Sequence, residues 1–285
     1  LGAALVLGAA LVLGVARAGA RNREAATLAR MEQLIQSYVS TKQIGSRFMG
    51  SVLVARDGKV ILSKGYGSAN MEGGISNSPT TRFPIASLTK QFTAAAILLL
   101  EERGQLSVQD PVKKFLPDAP KAWDKVTISH LLTHTSGIPD YLGFPDFEAS
   151  RAIETTPEQL VARFRNKPLE FEPGAQFKYS NSGYVLLGYL LEKITGQSYT
   201  SFLKRNLFEP LGMKNSGAAW NAALLPRLAS GYEPEPPGPK PAERLHMSIP
   251  YSAGGLYSTT GDLLLWERGI FGGKLLKPAS LQKMT

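Results

Sequence analysis

The sequence contains no cysteine and only three histidines in 285 residues. The absence of cysteine excludes disulfides, thiol nucleophiles and cysteine-based zinc sites, and three histidines allow only a sparse metal site. Acidic residues are also few, because 23 Asp and Glu face 32 Lys and Arg and leave a formal net charge of +9. This basic balance favours anionic partners such as nucleic acid or an acidic cell envelope, without identifying one.

The remaining composition is that of a folded protein. Hydrophobic residues make up 43% of the chain and charged residues 19%, which excludes disorder and collagen-like repeats. At about 150 residues per domain, the length fits one large domain or two small ones.

An uninterrupted run of apolar and small residues, Leu1 to Ala16, opens the chain and ends at Arg17. Small residues follow at the spacing of a signal-peptidase site in Ala16-Arg17-Ala18. We therefore interpret residues 1–20 as the core of a signal peptide or of a membrane anchor whose basic start is missing. Both interpretations predict that residues 21–285 are extracytoplasmic, in the periplasm or secreted.

Hydrophobic periodicity predicts a β-containing segment followed by a mainly helical one. A helix is predicted over Asn22 to Gln43, then strands over Gly50 to Ala55 and Val60 to Tyr66, joined by an Asp57-Gly58 hairpin turn. A two-stranded hairpin is not stable alone, so further strands are needed. Five prolines between Glu233 and Glu243 predict an exposed, partly extended loop.

From residue 86 onward, capping residues and periodicity predict a series of helices. They are Ala86 to Arg103, Thr127 to His134, one begun by Thr156 and Pro157, Gly183 to Thr195, Ser198 to Phe208 stopped by Pro210, Gly261 to Ile270 capped by Thr260, and one starting at Pro278. The pattern as a whole predicts a mixed α and β structure.

The segment Ser87-Leu88-Thr89-Lys90 opens one of these predicted helices. Residues three apart share a helix face, so the Lys90 amine can reach the Ser87 hydroxyl. The helix N-terminus favours an alkoxide and an incoming carbonyl oxygen, and burial would favour the neutral, basic form of Lys90. Alone, however, this tetrapeptide is more often a solvated helix face.

A second reactive segment, Tyr179-Ser180-Asn181, lies 92 residues after Ser87 and precedes an apolar helix. A Tyr phenol beside a cationic Lys can shuttle a proton. An Asn two residues later can hold a substrate amide and orient the Lys. The two segments together indicate nucleophilic acyl transfer rather than a solvated surface.

Five segments give the chain a family resemblance. They are Phe83 to Lys90, His130 to Gly137, Pro173 to Asn181, Pro210 to Met213 and Ala253 to Ser258. In this order the chain resembles serine β-lactamases and penicillin-binding-protein-like hydrolases, in the branch of class C β-lactamases, D-alanyl-D-alanine carboxypeptidases and related esterases. The resemblance covers roughly residues 30 to 285. It implies an α+β fold of the β-lactamase/transpeptidase type, with an antiparallel sheet, flanking helices and a mainly helical subdomain.

The resemblance also implies a role for each matching residue. Ser87 would be the acyl-forming nucleophile, Lys90 its activator, Tyr179 the general base and acid, and Asn181 a substrate contact. The Ser87 backbone N–H would be one oxyanion donor. The implied protein is an exported serine hydrolase for a β-lactam, a D-Ala peptide or a small ester, with no cofactor and no metal. A catalytically inert ligand-binding or sensor module on the same fold is the alternative.

Other reactive residues receive structural interpretations. His130 and His134 lie four residues apart on a short predicted helix. The segment that contains them is interpreted as structural, so we expect no metal site there. Glu172 is expected to be a loop residue, and no role is assigned to His246. Aromatic residues do not alternate with basic runs, so we expect a small-molecule or peptide substrate and cell-envelope partners rather than nucleic acid.

One motif of the family finds no match. The family carries Lys-Thr-Gly or His-x-Gly on a strand near its C-terminus, which lines the site and supplies a second oxyanion N–H. No such segment follows Asn181 in a plausible strand. We therefore expect the hydrolase domain, residues 21–285, to be incomplete at its C-terminus and to lack its closing strands.

Overall fold

The computed structural model of the chain describes residues 25–40, 48–220, 225–236 and 238–285. The predicted leader, residues 1–20, lies outside the described residues and stays a prediction. The chain forms two compact units: one joins the residues before Arg82 to Ser230–Ala242, and the other comprises Arg82–Ala229 and Glu243–Thr285. Across the described ranges, none of the helices has the length and hydropathy needed to cross a bilayer.

The smaller unit contains a helix and short antiparallel ribbons. Its elements are α1 (residues 25–40), β1 (Gly50–Arg56), β2 (Lys59–Tyr66), β3 (Ser68–Asn70), β4 (Ile75–Ser76), β7 (Tyr232–Glu233) and β8 (Lys240–Pro241). The predicted hairpin is confirmed: Arg56 pairs with Lys59, and Asp57 and Gly58 both have positive φ, at 50° and 74°. Two positive φ values define the tight turn whose twist matches the two strands. The range predicted as a proline loop, Glu233 to Glu243, includes the end of β7 and the whole of β8, so part of it is paired in a short antiparallel ribbon.

The larger unit contains one three-stranded antiparallel sheet and most of the helices. The strands, in the order β5-β9-β6, are β5 (Phe83–Pro84), β6 (Gly217–Ala218) and β9 (Leu256–Ser258). The helices are α2 (Thr89–Glu102), α3 (Ile128–Leu132), α4 (Phe147–Ser150), α5 (Pro157–Arg165), α6 (Asn181–Thr195), α7 (Tyr199–Leu203), α8 (Glu209–Leu211), α9 (Tyr251–Gly254), α10 (Thr260–Phe271) and α11 (Pro278–Met284). Antiparallel strands with a mainly helical part confirm the predicted α+β class.

The centre of the larger unit is formed by helices that are apolar on nearly every side. On α2, Phe92, Ile97 and Leu100 are fully buried, and on α6 every residue from Ser182 to Leu191 is buried. A helix buried all round must pack inside other elements rather than on a surface. These two helices therefore form a rigid support for residues at their N-termini.

Most predicted helix starts are confirmed, and one predicted cap is corrected. Thr156 and Pro157 begin α5 as predicted, and Thr156 forms a capping box with Gln159. The helix near residue 260 is capped by Thr259, not Thr260, because the Thr259 side chain accepts a hydrogen bond from the Asp262 N–H at 3.2 Å. Thr259 has the extended backbone that an N-cap residue requires, with φ −116° and ψ 161°, whereas Thr260 already lies in the helix.

The predicted helix from Ser198 to Phe208 differs from the structure in where it ends. Pro210 does not stop it: α7 passes through a π-helical turn, Lys204–Phe208, into α8, which contains Pro210 and ends at Gly212 with φ 72°. A proline ring in a regular helix clashes with the carbonyl four residues earlier. The wider π turn relieves that clash and lets the helix continue for one more turn.

Candidate active site

Ser87 lies in a tight turn that leads into α2. The residues Ala86–Leu88 form a 3-10 turn, and only from Thr89 is the helix an α-helix, which corrects the single helix predicted from Ala86. Lys90 is the second residue of α2, and residues three apart where a turn continues into a helix lie on the same side. The Lys90 Nζ is therefore close to Ser87, at 3.4 Å from the Ser87 Oγ. Ala86 has a φ of 45°, a strained value for a residue with a Cβ.

Lys90 is a buried amine with three hydrogen-bond acceptors. Its side chain is 8% exposed. Besides Ser87, the Nζ donates to Asn181 Oδ1 and to the carbonyl oxygen of Ala253, both at 2.8 Å. Burial lowers the pKa of the Lys90 amine below its usual value of 10.5, although Tyr179 and Asp140 oppose the shift. A lowered pKa increases the fraction of neutral amine, the form that can accept a proton.

Tyr179 and Asn181 enter the site from the start of α6. The Tyr179 hydroxyl lies 2.8 Å from Ser87 Oγ, and either group can donate. Ser180, between them, caps α6 by accepting from the Gly183 N–H and donates to the Ile138 carbonyl. The cap places Asn181 in the first turn of the helix, facing Lys90. The structure thus brings together all four residues predicted from sequence: Ser87, Lys90, Tyr179 and Asn181.

Three residues without a predicted role complete the cluster. Asp140 Oδ2 accepts from Asn181 Nδ2 at 2.9 Å, which fixes the Asn181 amide with its oxygen toward Lys90. The His134 ring stacks on Tyr179 with 4.5 Å between ring centroids. Ala253 acts only through its carbonyl. His134 and Ala253 lie in segments that carried the resemblance, so proximity in the motif could have indicated them, whereas the sequence has no signal for Asp140.

A close contact between α6 and α9 positions the Ala253 carbonyl. A Cβ on Gly188 would lie 2.2 Å from Ser252 Oγ, so only glycine allows this approach. The Ser252 hydroxyl donates to the Tyr184 carbonyl at 2.8 Å, and the Thr93 hydroxyl donates to the Ser252 carbonyl at 2.7 Å. Helices α2, α6 and α9 are therefore joined directly behind Lys90.

An apolar cleft of about 360 Å³ opens beside Ser87. Its lining residues are Pro84, Ala86, Ser87, Tyr141, Leu142, Phe147, Asn181, Leu245, Met247, Ile249, Pro250, Ala253 and Gly254. None of these side chains is charged, and the Tyr141 hydroxyl is used internally, because it donates to the Ile249 carbonyl at 2.8 Å. The cleft therefore fits an apolar group next to the nucleophile.

Chemically, the cluster combines a hydroxyl nucleophile with two groups that can carry its proton. Such a constellation can perform acyl transfer through a covalent intermediate. Among the residues that the structure describes, no group of three His, Asp or Glu side chains gathers in a way that could hold a metal ion. His130 is occupied in the cap of α3, where its Nδ1 accepts from the Thr127 N–H.

Several known proteins are similar to this chain in sequence and in fold. The profile of the family described as Beta-lactamase matches residues 31–285. The putative penicillin-binding protein PbpX of Bacillus subtilis is 33% identical over 252 residues, which cover 88% of this chain and 61% of that protein. This chain thus spans about three fifths of the length of PbpX.

Two solved structures extend the comparison. A penicillin-binding protein from Bacillus halodurans superposes with a TM-score of 0.76 at 32% identity, covering 87% of this chain and 77% of that one. A D-stereospecific amidohydrolase from Streptomyces superposes with a TM-score of 0.65 at 31% identity, covering 72% and 65%. The similarity therefore includes both penicillin-binding proteins and an amide-cleaving enzyme.

Proposed function

Because this chain belongs to the beta-lactamase family of serine hydrolases, we propose that it forms an acyl-enzyme on Ser87 with an amide or ester substrate. The observation that carries the proposal is the contact of Ser87 Oγ with Tyr179 at 2.8 Å and with the buried Lys90 amine at 3.4 Å. The family relatives include penicillin-binding proteins and an amidohydrolase. Beyond membership of this family, we propose that Ser87, Lys90 and Tyr179 carry out the reaction and that the intermediate is covalent.

In the proposed reaction, Ser87 Oγ bonds to the substrate carbonyl carbon while its proton passes to the Tyr179 oxygen. Tyr179 in turn gives its own proton to neutral Lys90. The proton relay then runs in reverse, and Tyr179 protonates the leaving amine or alcohol as its bond to carbon breaks. Water attacks the acyl-enzyme through the same proton relay, and the acyl group is released from Ser87. Asn181 holds the substrate, and the Ser87 N–H stabilises the oxyanion.

The apolar cleft points to the class of acyl group. Its lining offers no charge to pair with an ionic substituent, and burying an unpaired charge there would be costly. Leu142 and Leu245 are exposed at its rim, at 41% and 40%, and can pack against a bound aliphatic or aromatic group. We propose amides or esters whose acyl part carries such an apolar group, which includes esters and β-lactams with apolar side chains.

The nucleophile is tested by intact-mass analysis of the full chain after treatment with a penicillin and, separately, with a fluorophosphonate. We expect a covalent adduct on wild type and on Ser63→Ala, a matched control because Ser63 is exposed on β2. Ser87→Ala should form no adduct. Equal labelling of Ser87→Ala, or no labelling of folded wild type by either reagent, would overturn the proposal; reversible binding alone would favour an inert sensor.

The acyl preference is tested with p-nitrophenyl esters of increasing chain length. We expect kcat/KM for the hexanoate to exceed that for the acetate by at least about 10-fold, since each methylene in a fitting pocket adds severalfold or more. Leu245→Asp should lower the hexanoate value and spare the acetate. Leu34→Asp, which changes an exposed leucine on α1, is the control. A preference for acetate that Leu245→Asp leaves unchanged would contradict the assignment.

We also propose that the protein acts outside the cytoplasm, on cell-envelope material. The apolar run of residues 1–16 and the penicillin-binding relatives support this location. Fractionation of cells that produce the protein from its own complete gene, with a C-terminal tag, tests it: the tag is expected in the periplasmic, secreted or membrane fraction, and recovery in the cytoplasm alone would contradict it.

A further inference from the structure

One residue, His134, contacts the segment that carries Tyr179 at three points. The Lys178 N–H donates to the His134 carbonyl at 2.9 Å, and the Ser180 N–H donates to His134 Nδ1 at 3.2 Å. Between these two bonds, the imidazole stacks on the Tyr179 ring at an interplanar angle of 30°. The peptide N–H groups on both sides of Tyr179 are therefore bound by the same residue.

The backbone of His134 is strained to make these contacts. Its φ is 58°, in the left-handed region that residues with a Cβ seldom adopt, although Asn, Asp and His do so more often than the others. Such a conformation costs free energy and persists only where the surroundings hold it. Here the strained residue directs both its carbonyl and its ring toward one short segment, residues 178–180.

The contact to Ser180 requires a neutral imidazole. Nδ1 accepts a hydrogen bond, so it carries no proton, and the neutral ring holds its proton on Nε2. The titratable and charged groups around the ring are Lys90 on α2, Asp140 after α3, and Tyr179 and Tyr184. Burial and the Lys90 charge lower the pKa of His134 below its usual 6.5, while Asp140 opposes the shift.

We propose that His134 is a positioning residue: it clamps the residue 178–180 segment so that Tyr179 stays within proton-transfer distance of Ser87, and protonation of Nδ1 opens the clamp. This inference rests on the proposed function, because it assigns His134 to the geometry of the acylation step. Misplacing a reacting group by about 1 Å can slow a reaction on the order of 100-fold, so a clamp on one short segment has a measurable effect.

Two substitutions distinguish the effect of the Nδ1 acceptor from the effect of the strained backbone, because Asn and Gly both tolerate a left-handed conformation. His134→Asn keeps an acceptor, because Asn Oδ1 takes the place of Nδ1, whereas His134→Gly removes acceptor and ring together. We expect His134→Gly to slow acylation by a fluorophosphonate on the order of 100-fold. His134→Asn should recover a large part of that loss. Substrate KM should change little in both, since His134 is not among the residues that line the cleft.

The pH profile provides the readout that a merely structural role would not move. Wild type loses its acceptor as the pH falls through the His134 pKa, but Asn does not titrate. The ratio of wild-type to His134→Asn acylation rates is therefore expected to fall at acid pH. His130→Asn, which removes the imidazole four residues earlier on α3, is the control and should keep the wild-type profile.

The outcomes separate the clamp from the proposed function. If wild type forms no adduct on Ser87, the proposed function fails and the clamp fails with it. If wild type is acylated, but His134→Gly acylates as fast or the rate ratio is independent of pH, the clamp alone is overturned. Thermal unfolding shows whether each variant is folded. If His134→Gly is acylated slowly and is also unfolded, the result counts against the clamp unless folded His134→Asn shows the predicted change in the ratio of acylation rates with pH.

Discussion

At the scale of single residues, the site concentrates features that proteins otherwise avoid. Lys90 buries an amine, and Ala86 and His134 both have a positive φ although they carry a Cβ. Each costs free energy that the surrounding apolar helices must offset. The arrangement is consistent with a site whose geometry is held in place before substrate binds.

The buried amine gives a pH prediction. Since burial lowers the pKa of Lys90, the acylation rate of wild type is expected to rise as the pH increases through that pKa, below 10.5, because only the neutral amine accepts a proton. The contribution of Lys90 to the unfolding free energy should also rise between that pKa and 10.5, because there Lys90 binds its proton more readily in the unfolded chain than in the folded one.

Lys90→Met provides the comparison. It should acylate about 10²–10⁴-fold more slowly and lose both pH dependences, as measured by stopped-flow labelling and urea unfolding across the pH range. A wild-type rate that stays flat with pH, or a Lys90→Met rate equal to wild type, would show that Lys90 is not the base.

At the scale of elements, the site depends on how closely three helices approach one another. Ser87 comes from the turn that leads into α2 and Lys90 from α2 itself. Tyr179 precedes α6, Asn181 begins it, and α9 supplies a carbonyl. Because Gly188 leaves no space for a side chain, α9 packs against the α6 backbone. A change at this contact is therefore expected to reach the Lys90 amine.

Gly188→Val tests that coupling. Its side chain would overlap Ser252 and displace α9, so we expect a loss of about 1–3 kcal/mol in the free energy of unfolding and slower acylation of Ser87. Urea unfolding and fluorophosphonate labelling measure the two effects. Gly261→Val is the matched helical control, because a Cβ there has no contact nearer than 3.9 Å. Full activity in Gly188→Val would show that α9 does not position Lys90.

At the scale of the whole molecule, the described site residues all belong to one of the two units. Ser87, Lys90, Tyr179 and Asn181 lie within Arg82–Ala229, and Ala253 lies within Glu243–Thr285. The net charge of +9, in contrast, is a property of the entire chain. It affects which charged surfaces attract the protein more than it affects the reaction at the site. The proposed anionic cell envelope is one partner that such a charge would attract.

The charge predicts salt-dependent association. Purified cell-wall sacculi that carry anionic polymers should sediment with the full chain at low ionic strength and release it near 1 M salt, where the Debye length is about 3 Å. Acetylation of the lysines should abolish binding, whereas mock-treated protein should retain it. Binding that resists salt and acetylation would show that recognition does not depend on the net charge.

The sequence by itself determined the local elements and the reactive pairs. The Asp57-Gly58 turn and the Thr156 capping box follow from propensities that act over two to four residues, and Ser87 and Lys90 meet because residues three apart share one side of a turn. Resemblance in motif order brought in Tyr179 and Asn181. These contacts need no knowledge of how distant helices pack.

Only the tertiary structure decided the contacts between segments far apart in sequence. It alone placed Asp140 on Asn181, the Ala253 carbonyl on Lys90, and His134 around Tyr179. The structure also showed that Thr259, and not the predicted Thr260, caps α10. The reason is physical: local propensity fixes a helix and its ends within a residue or two, but which atom meets which across helices depends on buried packing that no short window of sequence contains.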